Sequence, residues 1–213
     1  MGFLKKKNHY PDLDNHYRRL QKEKNIAAIE IHSALLAAVF GIKKYSSEFN
    51  YSFVEKDCQA LNGVNVLNYA NKLNLSIISN HINDNGFYYK TMPLRNAYDV
   101  FLLSKKASAK AAVNTLNKLS HPLNCFLAAC YEVFNKVDSL EYNNTKKAAS
   151  YLSDFYSQFT SREKTKRKHK RIKRCLYIKS RLNIIYKCII FKEYRVWLFN
   201  LLTDKNWYKR KLV

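Results

Sequence analysis

A mainly α-helical fold is predicted here: a helical bundle with a winged-helix-like hairpin near residues 64–92 and a basic helical extension at its C-terminal end. Three features of the sequence predict it. Apolar residues recur at helical spacing along most of the chain. Glycine and proline are scarce, at four and three among 213 residues. Positive charge gathers in the last quarter: residues 162–213 carry 18 Lys and Arg against 3 Asp and Glu, a net of +15 within a total of +22. A hydrophobic content of 47% can still build a core. Sixteen tyrosines and twelve phenylalanines argue against a low-complexity chain. Length and charge together divide the chain into a basic N-terminal arm over 1–25, a helical core domain over 26–160 and a basic helical C-terminal region over 161–213.

The arm carries Lys5, Lys6, Lys7, Arg18 and Arg19. Asp12 and Asp14, following Pro11, suit a helix start, where a carboxylate caps free amides. Residues 26–40 are apolar at nearly every position, with alanine at the small sites, which predicts a buried helix. Glu30, His32 and Ser33 interrupt that run, so it does not predict a membrane span. A polar break follows at 46–50, then a further element from Phe53 through Ala60, ending near Gly63.

Residues 66–82 have the opening spacing of a helix-turn-helix. Ala70 is the small residue where two helices would cross. Asn74 is the turn residue able to adopt a left-handed conformation, and Ser76 is the cap of the second helix. Asn83 to Gly86 is a tight-turn signal, and residues 87–91 alternate like a strand. Helix, turn, helix and hairpin is the order of a winged helix, whose second helix enters the major groove. Ser76, Ser79, Asn80, His81 and Asn83 are then the candidate base-reading residues.

Helices are expected at 94–103 and 105–119. A break is expected at His121-Pro122, followed by a helix over 123–137 and a loop over 138–144. Residues 145–159 predict an amphipathic helix with Tyr151, Leu152, Phe155, Tyr156 and Phe159 on its apolar side. Beyond Arg181, Leu182, Ile185, Ile189, Ile190, Trp197, Leu198 and Leu201 return at helical intervals, with Lys187, Lys192 and Arg195 between them. An apolar face over 182–202 suits packing on the core, a homodimer contact or a protein partner.

The segment from Arg162 to Arg181 dominates the functional reading. It holds Arg162, Lys164, Lys166, Arg167, Lys168, Lys170, Arg171, Lys173, Arg174, Lys179 and Arg181 against one carboxylate, Glu163. Such a block repels itself until a polyanion neutralises it and releases its own counterions. Nucleic acid is the expected partner, DNA ahead of RNA. The protein would serve transcriptional control, or replication and maintenance of an AT-rich element. The alternatives are an RNA-binding component of a ribosome-like ribonucleoprotein, a HEPN-like ribonuclease, or a membrane-surface adaptor.

No phosphate-binding glycine loop, HExxH or GxSxG motif is present, so neither enzymatic activity nor a cofactor is expected. Arg162 and His169, with six residues between them, fit the Arg-x(4–6)-His spacing and in this resemble HEPN-type ribonucleases. His121 and Cys125 could share a helix face, but two ligands are too few to hold a metal, and no metal site is expected. Five cysteines without a CxxC pair suit thiols in a reducing, intracellular setting.

Overall fold

The computed structural model describes residues 20–21, 28–29, 35–36 and 48–203. The chain divides into two compact units, one of residues 34–37 and 42–173, the other of residues 1–33, 38–41 and 174–213. The described residues are mainly helical, with two short antiparallel strand pairs.

In the first unit, Asn50 opens α1 (Tyr51–Glu55) by accepting the Phe53 amide at 2.9 Å. A hairpin of β3 (Gln59–Leu61) and β4 (Val64–Val66) follows. Its two-residue turn places Asn62 at φ 50° and Gly63 at φ 76°. Positive φ at both positions matches the right-handed twist of the flanking strands, which is why Asn-Gly is favoured there. Asn68 caps α2 (Tyr69–Ile78) through the Asn71 amide at 2.7 Å, and the helix runs on into a π-helical turn, Ser79–Asn83. Next come α3 (Gly86–Tyr89), α4 (Leu94–Ser104) and α5 (Ala109–Asn114), then α6 (Asn117–Val133), a 3-10 turn Asp138–Leu140 and α7 (Lys146–Thr160). Thr145 caps α7 through the Ala148 amide at 3.1 Å. The long helix α8 (Arg162–Ile190) begins in this unit.

The core forms around α6. Leu119, Leu123, Phe126, Leu127 and Cys130 are fully buried against Leu73, Ile77 and Ile78 of α2, Val100 of α4 and Val113 of α5. Every residue from 122 to 130 is buried, the mark of a central helix rather than a surface one. Burying each such large aliphatic or Phe side chain is worth about 1.5–3 kcal/mol. Cys125 and Ala129 of α6 also pack with Tyr151 and Phe155 of α7 in a smaller cluster. The start of α6 is fixed from a distance: Glu48 Oε2 accepts the amides of Lys118 and Leu119 at 2.7 and 3.1 Å.

In the second unit, β1 (Leu20–Gln21) pairs antiparallel with β2 (Ala28–Ile29), Leu20 opposite Ile29. The later part of α8 is followed by α9 (Lys192–Thr203). Arg195 Nη1 donates to the carbonyls of Cys188 and Ile189 at 3.2 and 3.0 Å, satisfying the free end of α8. No helix among the described residues is long and apolar enough to cross a membrane.

Three expectations are corrected. The buried helix over 26–40 does not hold where it is described, because Ala28–Ile29 is strand and Leu35–Leu36 is a bend. A dense apolar run lacks the periodicity that separates strand from helix. The remainder of 26–40, like the arm over 1–25 apart from Leu20–Gln21, lies outside the described residues.

The helix-turn-helix is replaced by one uninterrupted helix. Asn74 sits inside α2, where its Nδ2 donates to Ala112 O at 2.9 Å, and its backbone is not left-handed. Leu73 and Ile77 continue the buried face across the supposed turn. The wing is absent as well, since residues 86–89 form a helical turn between two left-handed residues, Asn85 and Lys90. Gly86 is required there, because a Cβ at that position would meet Asn80 Oδ1 at 2.6 Å.

The His121-Pro122 break is corrected too. Pro122 lies within α6 as its sixth residue, where the helix forgoes one backbone hydrogen bond and continues, its flanks packed in the core.

Candidate nucleic-acid interface

α8 begins directly after α7, with only Ser161 between them. Its first residues are the basic block. Thr165, His169, Ile172 and Leu176 are half-buried at spacings of four, three and four, so they form one stripe of the helix. The eleven cations named from the sequence are all exposed on α8, outside that stripe.

Few of these charges are neutralised internally. Among the described residues, Arg167 pairs loosely with Glu163 at 3.9 Å and Lys168 binds Asp154 of α7 at 3.0 Å. Arg162, Lys164, Lys166, Lys170, Arg171 and Lys173 of the first unit make no ion pair among the described residues. In the second unit, Arg181 lays its guanidinium over the Tyr177 ring at 4.7 Å. A cationic helical surface suits a phosphate backbone, whose contacts position rather than specify.

The helix is anchored at His169. Its Nε2 lies 3.0 Å from Tyr89 O, and its ring meets Tyr89 edge to face with centroids 5.2 Å apart. Arg162 is exposed two helical turns earlier, about 10 Å along the axis.

The proposed base-reading residues are divided between the interior and the surface. His81 is fully buried between Phe87, Phe126 and Tyr151, with ring centroids 5.2–5.6 Å away. Burial, with smaller contributions from Lys90 and His121, holds its pKa down at about 3. A neutral imidazole sealed in the core reads no base. Asn80 Oδ1 is likewise buried, and Asn83 Nδ2 donates to Leu35 O at 3.2 Å. Ser76 and Ser79 line an open groove of about 610 Å³ together with Lys72, Arg95 and Asp99. Asn96 Nδ2 donates there to Ser76 O at 2.8 Å and Ser79 Oγ at 3.0 Å. The helix-turn-helix spacing marked this segment as helical on either side of Asn74, but not which polar residues point inward.

A second polar cluster went unrecognised in the sequence. Lys90 stands at φ 57° with its ammonium 4.5 and 4.4 Å from the ring centres of Phe87 and Tyr151. Burial holds it below the ordinary lysine range. His121 Nδ1 lies 3.7 Å from Cys125 Sγ on α6. Burial pushes the Cys125 thiol up to about 11, so no thiolate is offered to a metal or an electrophile at neutral pH. No group of three or more His, Cys, Asp or Glu able to hold a metal occurs among the described residues. The only sequence signal for this cluster was the four-residue spacing of His121 and Cys125.

No protein-family model matches this sequence, and comparisons with curated proteins and with solved structures give no match either.

Proposed function

We propose that this chain is a nucleic-acid-binding protein that grips the phosphate backbone of duplex DNA through the basic first half of α8. The observation that carries the reading is the helix itself, with eleven exposed cations and two of them ion-paired among the described residues. A basic helix of this kind can lie along or within a major groove and draw most of its affinity from counterion release. With His81 and Asn80 turned inward, the reading favours binding with little direct base recognition. That suits packaging, replication or maintenance of an AT-rich element better than operator recognition. All five cysteines are free thiols, which accords with an intracellular setting.

The second unit adds an apolar stripe. Ile178, Leu182, Ile185 and Ile189 follow a four-three-four spacing and are 58, 61, 55 and 71% exposed. This is the repeat of a coiled-coil seam, and a seam of identical spacing is complementary to itself. A second copy of the chain is therefore the partner proposed for the 182–202 face.

The decisive experiment measures binding to duplex DNA and duplex RNA of one sequence between 50 and 200 mM salt. Wild type is compared with a variant in which Lys166, Arg167, Lys170 and Arg171 are all alanine. The reading expects affinity to fall steeply with salt, and the variant to bind at least tenfold more weakly at 50 mM with a shallower slope. Structured RNA outcompeting every duplex DNA would replace the DNA reading with the ribonucleoprotein one. Equal binding by the variant would remove α8 as the interface.

A further inference from the structure

A pocket at the junction of α3, α6 and α7, within the first unit, takes its lining from outside the basic helix. It is an open pocket of about 330 Å³ lined by Phe87, Lys90, His121, Lys147, Tyr151 and Asp154, among others. That volume is at the small end of ligand sites and suits a fragment rather than a large cofactor.

Lys90 is its unusual member. A non-glycine residue at φ 57° persists only where its surroundings impose the conformation. Here two side chains hold the turn: Gln158 Nε2 donates to both Tyr89 O and Lys90 O at 3.0 Å, and His169 engages Tyr89 O. The clamp delivers the Lys90 ammonium onto the stacked rings of Phe87 and Tyr151, which lie 5.8 Å apart and 9° from parallel. Lys90 makes no ion pair there. Asp154, the carboxylate that acts on it most, is bound at 3.0 Å by Lys168. The half-buried cation is thus left without an anion, a costly state that a bound anion would relieve.

The rest of the lining agrees. Lys147 lies in the first turn of α7 and, with Lys90, acts electrostatically on His121. Cys125 Sγ lies 3.7 Å from His121 Nδ1, so that contact engages one ring nitrogen and leaves Nε2 as the one able to meet a ligand. Asp154 is the one carboxylate in the lining, already committed to Lys168.

We propose that this pocket binds a small phosphate-class anion, with Lys90 and Lys147 supplying charge and His121 a hydrogen bond. Inorganic phosphate and the phosphate of a nucleoside monophosphate share that chemistry.

The test is calorimetric titration of the full chain at 0.15 M sodium chloride with inorganic phosphate and, separately, with adenosine monophosphate. One saturable site per chain is expected for at least one of them, and the tighter of the two names the source of the phosphate. Lys90→Gly accepts the left-handed backbone while deleting the amine, and should weaken binding at least tenfold. Lys147→Met, at an exposed position, should weaken it severalfold and carries the test if Lys90→Gly does not fold. Lys170→Ala with Arg171→Ala should leave it unchanged. Absence of a saturable site for both ligands overturns the proposal, as does wild-type affinity in the Lys90 and Lys147 variants. Loss of binding on changing Lys170 and Arg171 would also overturn it, because the anion would then be held by the basic helix.

Discussion

His169 Nε2 lies 3.0 Å from Tyr89 O, joining the most basic helix of the chain to the turn that carries Lys90. One imidazole thereby links two cationic features that are 80 residues apart in sequence. Removing it should be felt as stability. His169→Ala is expected to cost about 1–2 kcal/mol, from one hydrogen bond and an edge-to-face ring contact, seen as a lowered melting temperature. The same variant bears on the resemblance of Arg162 and His169 to HEPN ribonucleases. Cleavage of single- or double-stranded RNA should be no different from wild type. Metal-independent cleavage that disappears in His169→Ala would make the pair catalytic.

Neighbouring lysines should contribute unequally to nucleic-acid binding. Lys170 has no ion-pair partner among the described residues, so Lys170→Ala should reduce the slope of log affinity against log salt by about 0.9, the contribution of one phosphate contact. Lys168 must first give up Asp154, so Lys168→Ala should change the slope by less than half as much. Equal effects would mean that the Lys168–Asp154 pair does not persist in solution.

Burial of His81 makes the fold sensitive to acid. Its pKa is about 3 when folded and near 6.5 when unfolded, so the unfolded chain takes up the proton first as pH falls. The stability that the neutral ring contributes is intact above pH 6.5 and is lost as pH drops towards 3, at about 1.4 kcal/mol per pH unit. His81→Leu removes this dependence, together with two buried ring nitrogens that lack hydrogen-bond partners. Chemical denaturation from pH 7 to pH 4 should show a shallower loss of stability in the variant. Parallel curves would show that the ring is not sealed from water.

The apolar stripe of α8 predicts self-association with an inverse response to salt. Arg174, Lys179 and Arg181 flank Ile178, Leu182, Ile185 and Ile189, so two copies repel at low salt. Sedimentation should show a dimer that strengthens from 50 to 500 mM salt while DNA binding weakens. Ile185→Asp should abolish the dimer and leave melting unchanged, since Ile185 is 55% exposed in the single chain. A monomer at all salts, at tens of micromolar protein, would refute a second copy as the occupant.

Much of the helical architecture was legible along the chain. Thr145 followed by an apolar stripe at helical spacing announced α7 to within a residue, and residues 94–103 announced α4. The density of cations over 162–181 needed no fold to be noticed. Other features were missed for identifiable reasons. Asn62-Gly63 is a hairpin signal, but the strands that flank it are three residues each, too short for a strand pattern to stand out in the sequence. Asn74 resembled a turn residue because a short polar side chain suits turns and buried helix interiors alike, and its acceptor, Ala112 O, is 38 residues away.

Local chemistry therefore determined where helices begin, which segments are apolar enough to pack, and that the end of the chain is a cationic surface, because capping, periodicity and charge are properties of neighbouring residues. Only tertiary structure decided which polar side chains are spent inside. His81, a plausible base reader on an isolated helix, is enclosed when α6 and α7 bring Phe126 and Tyr151 around its ring. Lys90, unremarkable in sequence, becomes a half-buried cation because Gln158 and His169 arrive from α7 and α8 to hold its turn. Burial depends on what folds against a residue from far along the chain, and no local pattern carries that information.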